Sequence, residues 1–265
     1  MTAGDRWASG PAYEAYVGRW SRLVAPPFLA WLGVGRHATW LDVGCGTGVL
    51  TEAILQERDP QAIHAIDRSA PFVADAADRI GDPRVYFAVG EAERLPLEEA
   101  AVDAVVSGLV MNFLPDAVAA VAEQRRVARP GGVVAAYVWD YADRMQLLRH
   151  FWDAAAALDP GARDLDEGVR FPIARREALH EAFRSGGLTD VATRAIDVRT
   201  PFTDFDDLWR PFLAGTGPAP AYVASLDDER RSRLRQRLLA SVPVAADGSI
   251  SLVARAWGVR GVVRS

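Results

Sequence analysis

The chain has 265 residues, half of them hydrophobic and a quarter charged, with a formal net charge of −5; that length suits one large domain or one with a sizeable insertion, and the acidic balance argues against a surface built for polyanions. A single cysteine, Cys45, excludes an intrachain disulfide and a cysteine-based zinc cluster. The absence of any Lys excludes a Lys Schiff base and a Lys general base, and with the abundant Ala and Gly it reads as the coding bias of a GC-rich bacterium.

The first ten residues, MTAGDRWASG, hold no apolar run fit for a secretion signal, and no stretch reaches the ~18 apolar residues of a membrane span. The expected compartment is the cytoplasm. Residues 38–43 then read as a strand, and 48–58 as a helix with Val49, Leu50, Ala53 and Ile54 on one face. A second strand covers 62–67, followed by a helix to residue 80 with Ser69 as N-cap and Pro71 in its first turn. Residues 84–89 are the third strand. Residues 102–110 are the fourth, an almost unbroken apolar run suited to a sheet covered on both faces. Asp116 caps a helix to about residue 128, "RPGG" turns the chain, and 133–139 is the fifth strand. Strand and helix in alternation predict a parallel α/β sheet with helices on both sides.

The second half is less regular. It reads as a helix over 143–158, a loop over 159–172, a helix over 174–188 stopped by glycine, and a strand over 191–198. Helices over 203–213 and 227–240 precede a closing strand over 249–261. Phe151, Trp152, Phe171, Phe202, Phe205, Trp209, Phe212 and Tyr222 fall in 140–172 and 200–248. So many rings outside the repeating unit suggest an aromatic-rich helical lid inserted into a single domain.

Between the first strand and its helix stands "LDVGCGTG". Glycines there let the backbone turn sharply and let a ligand approach the N–H groups at the helix start. The spacing is G-x-G-x-G, not the G-x-G-x-x-G of dinucleotide sites. Asp42 discriminates further. A carboxylate ~6 Å from a pyrophosphate opposes it by roughly 1–3 kcal/mol at dielectric constants of 20–80, and the same carboxylate attracts an ammonium or sulfonium. Asp67, 19 residues beyond Gly48, stands at the end of the second strand, where a ribose-binding acid belongs.

"LDVGCGTG" resembles the first motif of the class I S-adenosylmethionine-dependent methyltransferases. Matches continue in order with Asp67 in "AIDRS", "VGEAERLPL" (89–97), "VDAVVSGLVMNFLPD" (102–116) and "RRVARPGGVVAAYVW" (125–139). The segment "YEAYVGRWSRLVAPPFLAWL" looks like the N-terminal helix of the small-molecule branch. The resemblance implies a Rossmann-like seven-stranded sheet whose last strand runs antiparallel. It also implies that Gly44, Cys45 and Gly46 cradle the methionine part of S-adenosylmethionine, with Asp42 facing its ammonium. Asp67 would take the ribose hydroxyls, Arg68 would lie along the adenine, and Glu91 with the Ala92 N–H would read the adenine edge. Many relatives carry Asp where Glu91 stands. Ser107 would lie beside the reactive end, and Tyr16 and Arg19 would close over the cofactor.

The activity implied is methyl transfer to a small, largely apolar acceptor. His150, Asp140 and Tyr141 are candidate bases for a hydroxyl acceptor. Cys45 reads as a small filler between glycines, and the basic run 230–239 as a solvated helix face. After the fourth strand "SGLV" carries neither the proline-aromatic motif of nucleobase-amine methyltransferases nor the carboxylates of metal-dependent O-methylation. No nucleic-acid partner, no membrane and no metal are therefore expected. The oligomeric state is open. Rival readings are a cofactor-binding protein used for cyclisation or sensing, a protein or RNA methyltransferase, and a nicotinamide oxidoreductase.

Overall fold

The computed structural model describes residues 19–213 and 217–264. The apolar runs of the first half form strands β1 (Thr39–Val43), β2 (Ala62–Asp67), β3 (Val85–Val89), β4 (Val102–Gly108) and β5 (Ala128–Trp139). Helix α1 (Arg19–Leu32) precedes them, and α2 (Val49–Arg58), α3 (Ala70–Ile80) and α4 (Ala117–Val127) alternate with them. Trp40, Leu41, Val43, Ala104, Val105 and Val106 are fully or almost fully buried, as strands covered on both faces must be.

Local chemistry sets the helix starts. Asp116 accepts the Ala119 N–H at 2.9 Å and opens α4 as expected. Ser69 does occupy the N-cap position of α3, but its hydroxyl makes no capping bond; the Ser69 N–H is instead held by Asp67 Oδ1 at 2.8 Å. On α2 the buried face is Leu50, Thr51, Ala53 and Ile54, so a threonine joins it where Val49 was expected.

Strand β5 begins at Ala128 rather than residue 133. The "RPGG" turn is absorbed as a bulge, with a register shift between the Val102 and Ala104 pairings. Gly131 has φ of 78°, and a Cβ on Gly132 would stand 2.8 Å from Arg129 O and 2.9 Å from Asp103 O. Only glycine fits there.

In the second half, helix α5 is Gln146–Leu158, α6 Glu167–Arg170 and α7 Arg176–Ser185. Strand β6 (Thr189–Phe202) follows, then α8 (Phe205–Trp209), α9 (Pro218–Ser225), α10 (Asp228–Ser241) and β7 (Ile250–Val262). The segment expected as a loop over 159–172 contains the 3-10 turn Pro160–Leu165 and the single turn α6, each started by an aspartate that accepts a backbone N–H two residues on. Helix α9 had no counterpart in the sequence reading, because Pro218 and Pro220 mask it. Both sit in its first turn, where the missing N–H costs no hydrogen bond.

The sheet order is β3-β2-β1-β4-β5-β7-β6. The pairs β1–β2, β2–β3, β1–β4 and β4–β5 are parallel. Strand β7 is antiparallel to β5: Val263 N–H donates to Gly132 O, and Asp140 N–H to Arg255 O, so one strand's numbers rise as the other's fall. Because the chain builds β1 to β3 outward on one side and then returns to lay β4 on the other, the topological switch point lies between β1 and β4. Ligands of open α/β sheets bind outside the carboxyl ends of the strands at such a point.

The chain divides into two compact units. One holds Ser21–Val138, Ile173–Ile196 and Ala256–Ser265 and contains the switch point; the other contains Trp139–Pro172 and Asp197–Arg255. In the second, largely helical unit the rings pack on one another. Phe151 stacks on Phe212 at 4.4 Å, meets Trp152 and Tyr222 edge-on, and Trp209 lies 5.8 Å from Phe212. These side chains form that unit's own core.

Candidate functional site

Gly44, Gly46 and Gly48 adopt φ of 71°, 53° and 81°, a left-handed turn that side-chain-bearing residues resist. Gly44 N–H and Cys45 N–H both donate to Ile66 O, at 2.7 and 3.0 Å, which pins the turn to the end of β2. The three glycines are required for different reasons. A Cβ on Gly44 would lie 2.4 Å from Val110 Cγ2, and one on Gly48 2.7 Å from Ile80 Cδ1. A Cβ on Gly46 would meet nothing within 4 Å, so that backbone borders open space. Cys45 is buried between them. Burial first, and then the negative Asp42 and Asp67, push its thiol well above the usual range, which disfavours the nucleophilic thiolate.

Two carboxylates flank this turn. Asp42, at 0% exposure, accepts the Thr51 hydroxyl through Oδ2 at 2.7 Å, tying β1 to the first turn of α2. Its Oδ1 is buried and has no hydrogen-bond partner among the described residues. Burial pushes the Asp42 carboxyl up to about 7, with the Thr51 hydrogen bond opposing and Asp67 adding to the rise. Asp67 is half-buried and works as a clip: Oδ2 accepts Gly46 N–H at 2.9 Å and Oδ1 accepts Ser69 N–H. Each oxygen keeps a further lone pair.

Arg68 follows on the exposed side. Glu91 and Ala92 come from the turn after β3, brought to Asp67 by the Gly90 N–H, which donates to Asp67 O at 3.1 Å. Helix α4 fastens that segment, since Glu123 accepts the Leu95 N–H and Arg126 donates to Leu97 O. Ser107 is fully buried, one residue beyond the Asp42–Val106 pairing, and its Oγ has no partner among the described residues. Asp42, Gly44, Cys45, Gly46, Asp67, Arg68, Glu91, Ala92 and Ser107 thus all belong to the unit with the switch point. Tyr16 lies outside the described residues, and of Arg19 only the backbone, at the start of α1, is described.

The candidate bases belong to the helical unit. Asp140 is buried, accepts the Asp143 N–H at 3.2 Å, and has its carboxyl raised by burial and by Asp143. Tyr141 packs 5.8 Å from Phe171. His150, half-buried on α5, is pulled below the usual imidazole range by burial, with Asp153 opposing. Among the described residues no three His, Cys, Asp or Glu come together as a metal would need, and no helix is long and apolar enough to cross a membrane.

Several residues escaped the sequence reading. Thr51 looks like an ordinary helix position and Val110 like the end of the fourth strand, which in the structure stops at Gly108; only the fold sets them against Asp42 and Gly44. Tyr137, within an apolar strand, lays its hydroxyl where a Cβ on Gly108 would be, 2.6 Å away, and meets Ser21 Oγ at 3.1 Å. The glycine at the end of a strand otherwise rich in Val was the available signal for such a close approach.

Residues 41–136 match the family described as "Methyltransferase domain". The chain is 32% identical over 190 residues to the demethylmenaquinone methyltransferase of Roseiflexus sp. (strain RS-1), covering 66% of this chain and 74% of that protein. It is 31% identical over 234 residues to the malonyl-[acyl-carrier protein] O-methyltransferase of Enterobacter lignolyticus, covering 88% and 85%. The corresponding Serratia marcescens enzyme is 40% identical over 94 residues, a match that spans 36% of this chain and only 35% of that protein. The phosphoethanolamine N-methyltransferase 2 of Haemonchus contortus, solved in complex with S-adenosyl-L-methionine, shares the fold with a TM-score of 0.57 at 16% identity, over 94% of this chain and 56% of that one. With a glycine turn of this geometry at the switch point, and two relatives matched over 74% and 85% of their own length, the chain belongs to the class I S-adenosylmethionine-dependent methyltransferases.

Proposed function

We propose that the chain transfers the methyl group of S-adenosylmethionine to a small, largely apolar acceptor with an oxygen, nitrogen or carbon nucleophile. The observation that carries the reading is Asp42 Oδ1, a buried carboxylate oxygen without a partner among the described residues, close in sequence to a turn whose central glycine borders open space. A buried charge is costly until it is paired, and an ammonium or sulfonium pairs it where a pyrophosphate cannot. In this reading the backbone of Gly44, Cys45 and Gly46 holds the methionine part. Asp67 takes the ribose hydroxyls on its remaining lone pairs, Arg68 lies along the adenine, and Glu91 with the Ala92 N–H reads its edge. Ser107 stands at the reactive end, and Tyr16 and Arg19 complete the closure.

When bound, S-adenosylmethionine supplies an electrophilic methyl group on a sulfonium, so the chain need not provide a nucleophile. Its residues have to align the acceptor, an effect worth roughly 7–11 kcal/mol, and to keep water out. The lowered His150 keeps a neutral imidazole able to take a proton from a hydroxyl acceptor, and Asp140 and Tyr141 are the other candidates. The aromatic stretches 140–172 and 200–248 are proposed to select the acceptor. Support for a small apolar acceptor comes from the relative named for demethylmenaquinone, while the relative named as a malonyl-[acyl-carrier protein] O-methyltransferase supports an oxygen nucleophile.

The test begins with binding. S-adenosylhomocysteine at ~100 times its Kd adds about 2.7 kcal/mol, which raises Tm by roughly 5–10 °C in a chain of this size, whereas NAD leaves Tm unchanged. Release of S-adenosylhomocysteine is then followed with a panel of phenols, amines and quinone-like acceptors. A shift with NAD alone ends the reading. Binding without release against every acceptor favours cyclisation or sensing instead.

A further inference from the structure

Asn112 lies in the 3-10 turn Met111–Phe113 that follows β4. It is 7% exposed, and neither its Oδ1 nor its Nδ2 has a hydrogen-bond partner among the described residues. A carboxamide offers two donors and an accepting oxygen, and burying all of them unmet is a state that folding alone disfavours against any apolar side chain of the same shape. Its position explains why it is tolerated. The strand order reverses between β1 and β4, and Val110, two residues ahead of Asn112, packs against Gly44 of the turn after β1. The switch-point ends of β1 and β4 therefore carry three buried, unmet polar groups: Asp42 Oδ1, Ser107 Oγ and the Asn112 amide.

We propose that Asn112 binds the methyl acceptor, and that the group it holds is a hydroxyl, either the nucleophile itself or the neighbour of a nucleophilic carbon. This deepens the methyl-transfer reading and rests on it. The positive end of the cofactor is answered by the negative Asp42 on the β1 side, whereas Asn112 is neutral and stands on the β4 side. A carboxamide complements a group that both donates and accepts. A hydroxyl does both; a protonated amine only donates, and a carboxylate only accepts. The amide takes no proton, so Asn112 orients the hydroxyl and the proton it gives up leaves to a separate base or to water.

The test is Asn112→Leu, close in shape and without polar atoms, read three ways. Tm should hold or rise, because an unmet amide is removed; a fall of more than ~2 °C means that the amide has a structural partner, and overturns the proposal. The Kd for S-adenosylhomocysteine should stay within about threefold of the wild type; a tenfold loss assigns Asn112 to the cofactor and also overturns it. Methyl transfer is then compared across 1-naphthol, 1-naphthylamine, 1-naphthalenethiol and dihydroxynaphthalenes. The wild type should favour the hydroxyl compounds, and the variant should lose that transfer by roughly a hundredfold. Wild-type protein that binds S-adenosylhomocysteine yet methylates no hydroxyl compound overturns the inference and leaves the cofactor reading intact; wild-type protein that does not bind it overturns both. If Asn112→Leu does not fold, Asn112→Ala gives the binding and transfer readings.

Discussion

Asp42 carries two loads with one carboxyl group. Through Oδ2 it orders the first turn of α2 by holding the Thr51 hydroxyl, and through Oδ1 it keeps an unspent acceptor under the glycine turn. Burial, which raises the carboxyl to about 7, means that the free protein at pH 6 holds it mostly protonated and at pH 8 mostly ionised. An ammonium, which S-adenosylhomocysteine keeps after its sulfonium charge is gone, binds the ionised form. Affinity for S-adenosylhomocysteine should therefore rise between pH 6 and pH 8 and flatten above the free protein's value near 7. In Asp42→Asn the Thr51 hydroxyl keeps an oxygen to donate to, but the charge is gone. Affinity at pH 8 should fall about tenfold or more, some 1.4 kcal/mol, and its dependence on pH should vanish. Titration calorimetry at the two pH values measures both, and unchanged binding by the asparagine variant would remove Asp42 from the site.

The turn between β1 and α2 divides its work among its glycines, and two substitutions separate the parts. In Gly44→Ala the new Cβ collides with Val110 in addition to holding a left-handed φ; strain and overpacking together should cost about 2–5 kcal/mol of stability. In Gly46→Ala the Cβ meets nothing within 4 Å among the described residues, so stability should fall only by the ~1–2 kcal/mol of the left-handed conformation, while S-adenosylhomocysteine binding is lost by an order of magnitude or more. Urea unfolding and calorimetry on the pair decide it; Gly46→Ala protein with normal binding means the ligand does not approach this backbone. That contrast also marks what a linear reading could reach. Strands β1 to β5, their helices and the glycine–Asp42–Asp67 constellation are legible because period, caps and motif are local signals. The space beside Gly46 and the wall beside Gly44 are not, since Val110 arrives from the segment after β4, well over 50 residues later. Tyr137 and Asn112 likewise depend on distant segments, Thr51 on which face of α2 turns to Asp42, and α9 was hidden by prolines whose position, rather than presence, decides helix formation.

At the scale of the molecule, one buried carboxyl group in each compact unit is raised to about 7 by folding, and Asp140 of the helical unit is raised in the same direction. In the sheet unit it is Asp42. In the helical unit it is Glu167, which accepts the Trp152 indole N–H and is raised to about 7 by burial, with Asp166 adding and Arg149 opposing. Gly168 beside it leaves no room for adjustment, since a Cβ there would stand 2.8 Å from Tyr141 O. Both groups act on stability with the same sign. A carboxyl whose folded value exceeds its unfolded one binds protons more tightly when folded, so its contribution is full below the unfolded value near 4 and is lost as pH rises through about 7. The ligand-free protein should thus melt at progressively lower temperature from pH 5 to pH 8, with each group accounting for about 3 kcal/mol. Glu167→Gln keeps an oxygen for the indole and removes the ionisation. It should reduce that slope and melt above the wild type at pH 8, and Asp42→Asn should reduce it further, Asp140 keeping its own share in both variants. The two carboxyls part company once S-adenosylhomocysteine is added. Its positive charge stabilises ionised Asp42 and leaves Glu167 as before, so the wild-type complex should lose only the Asp42 share of the slope. Thermal melts of wild type and both variants, with and without S-adenosylhomocysteine, read this directly. If the Asp42→Asn complex and the wild-type complex keep different slopes, Asp42 does not meet the ligand's charge.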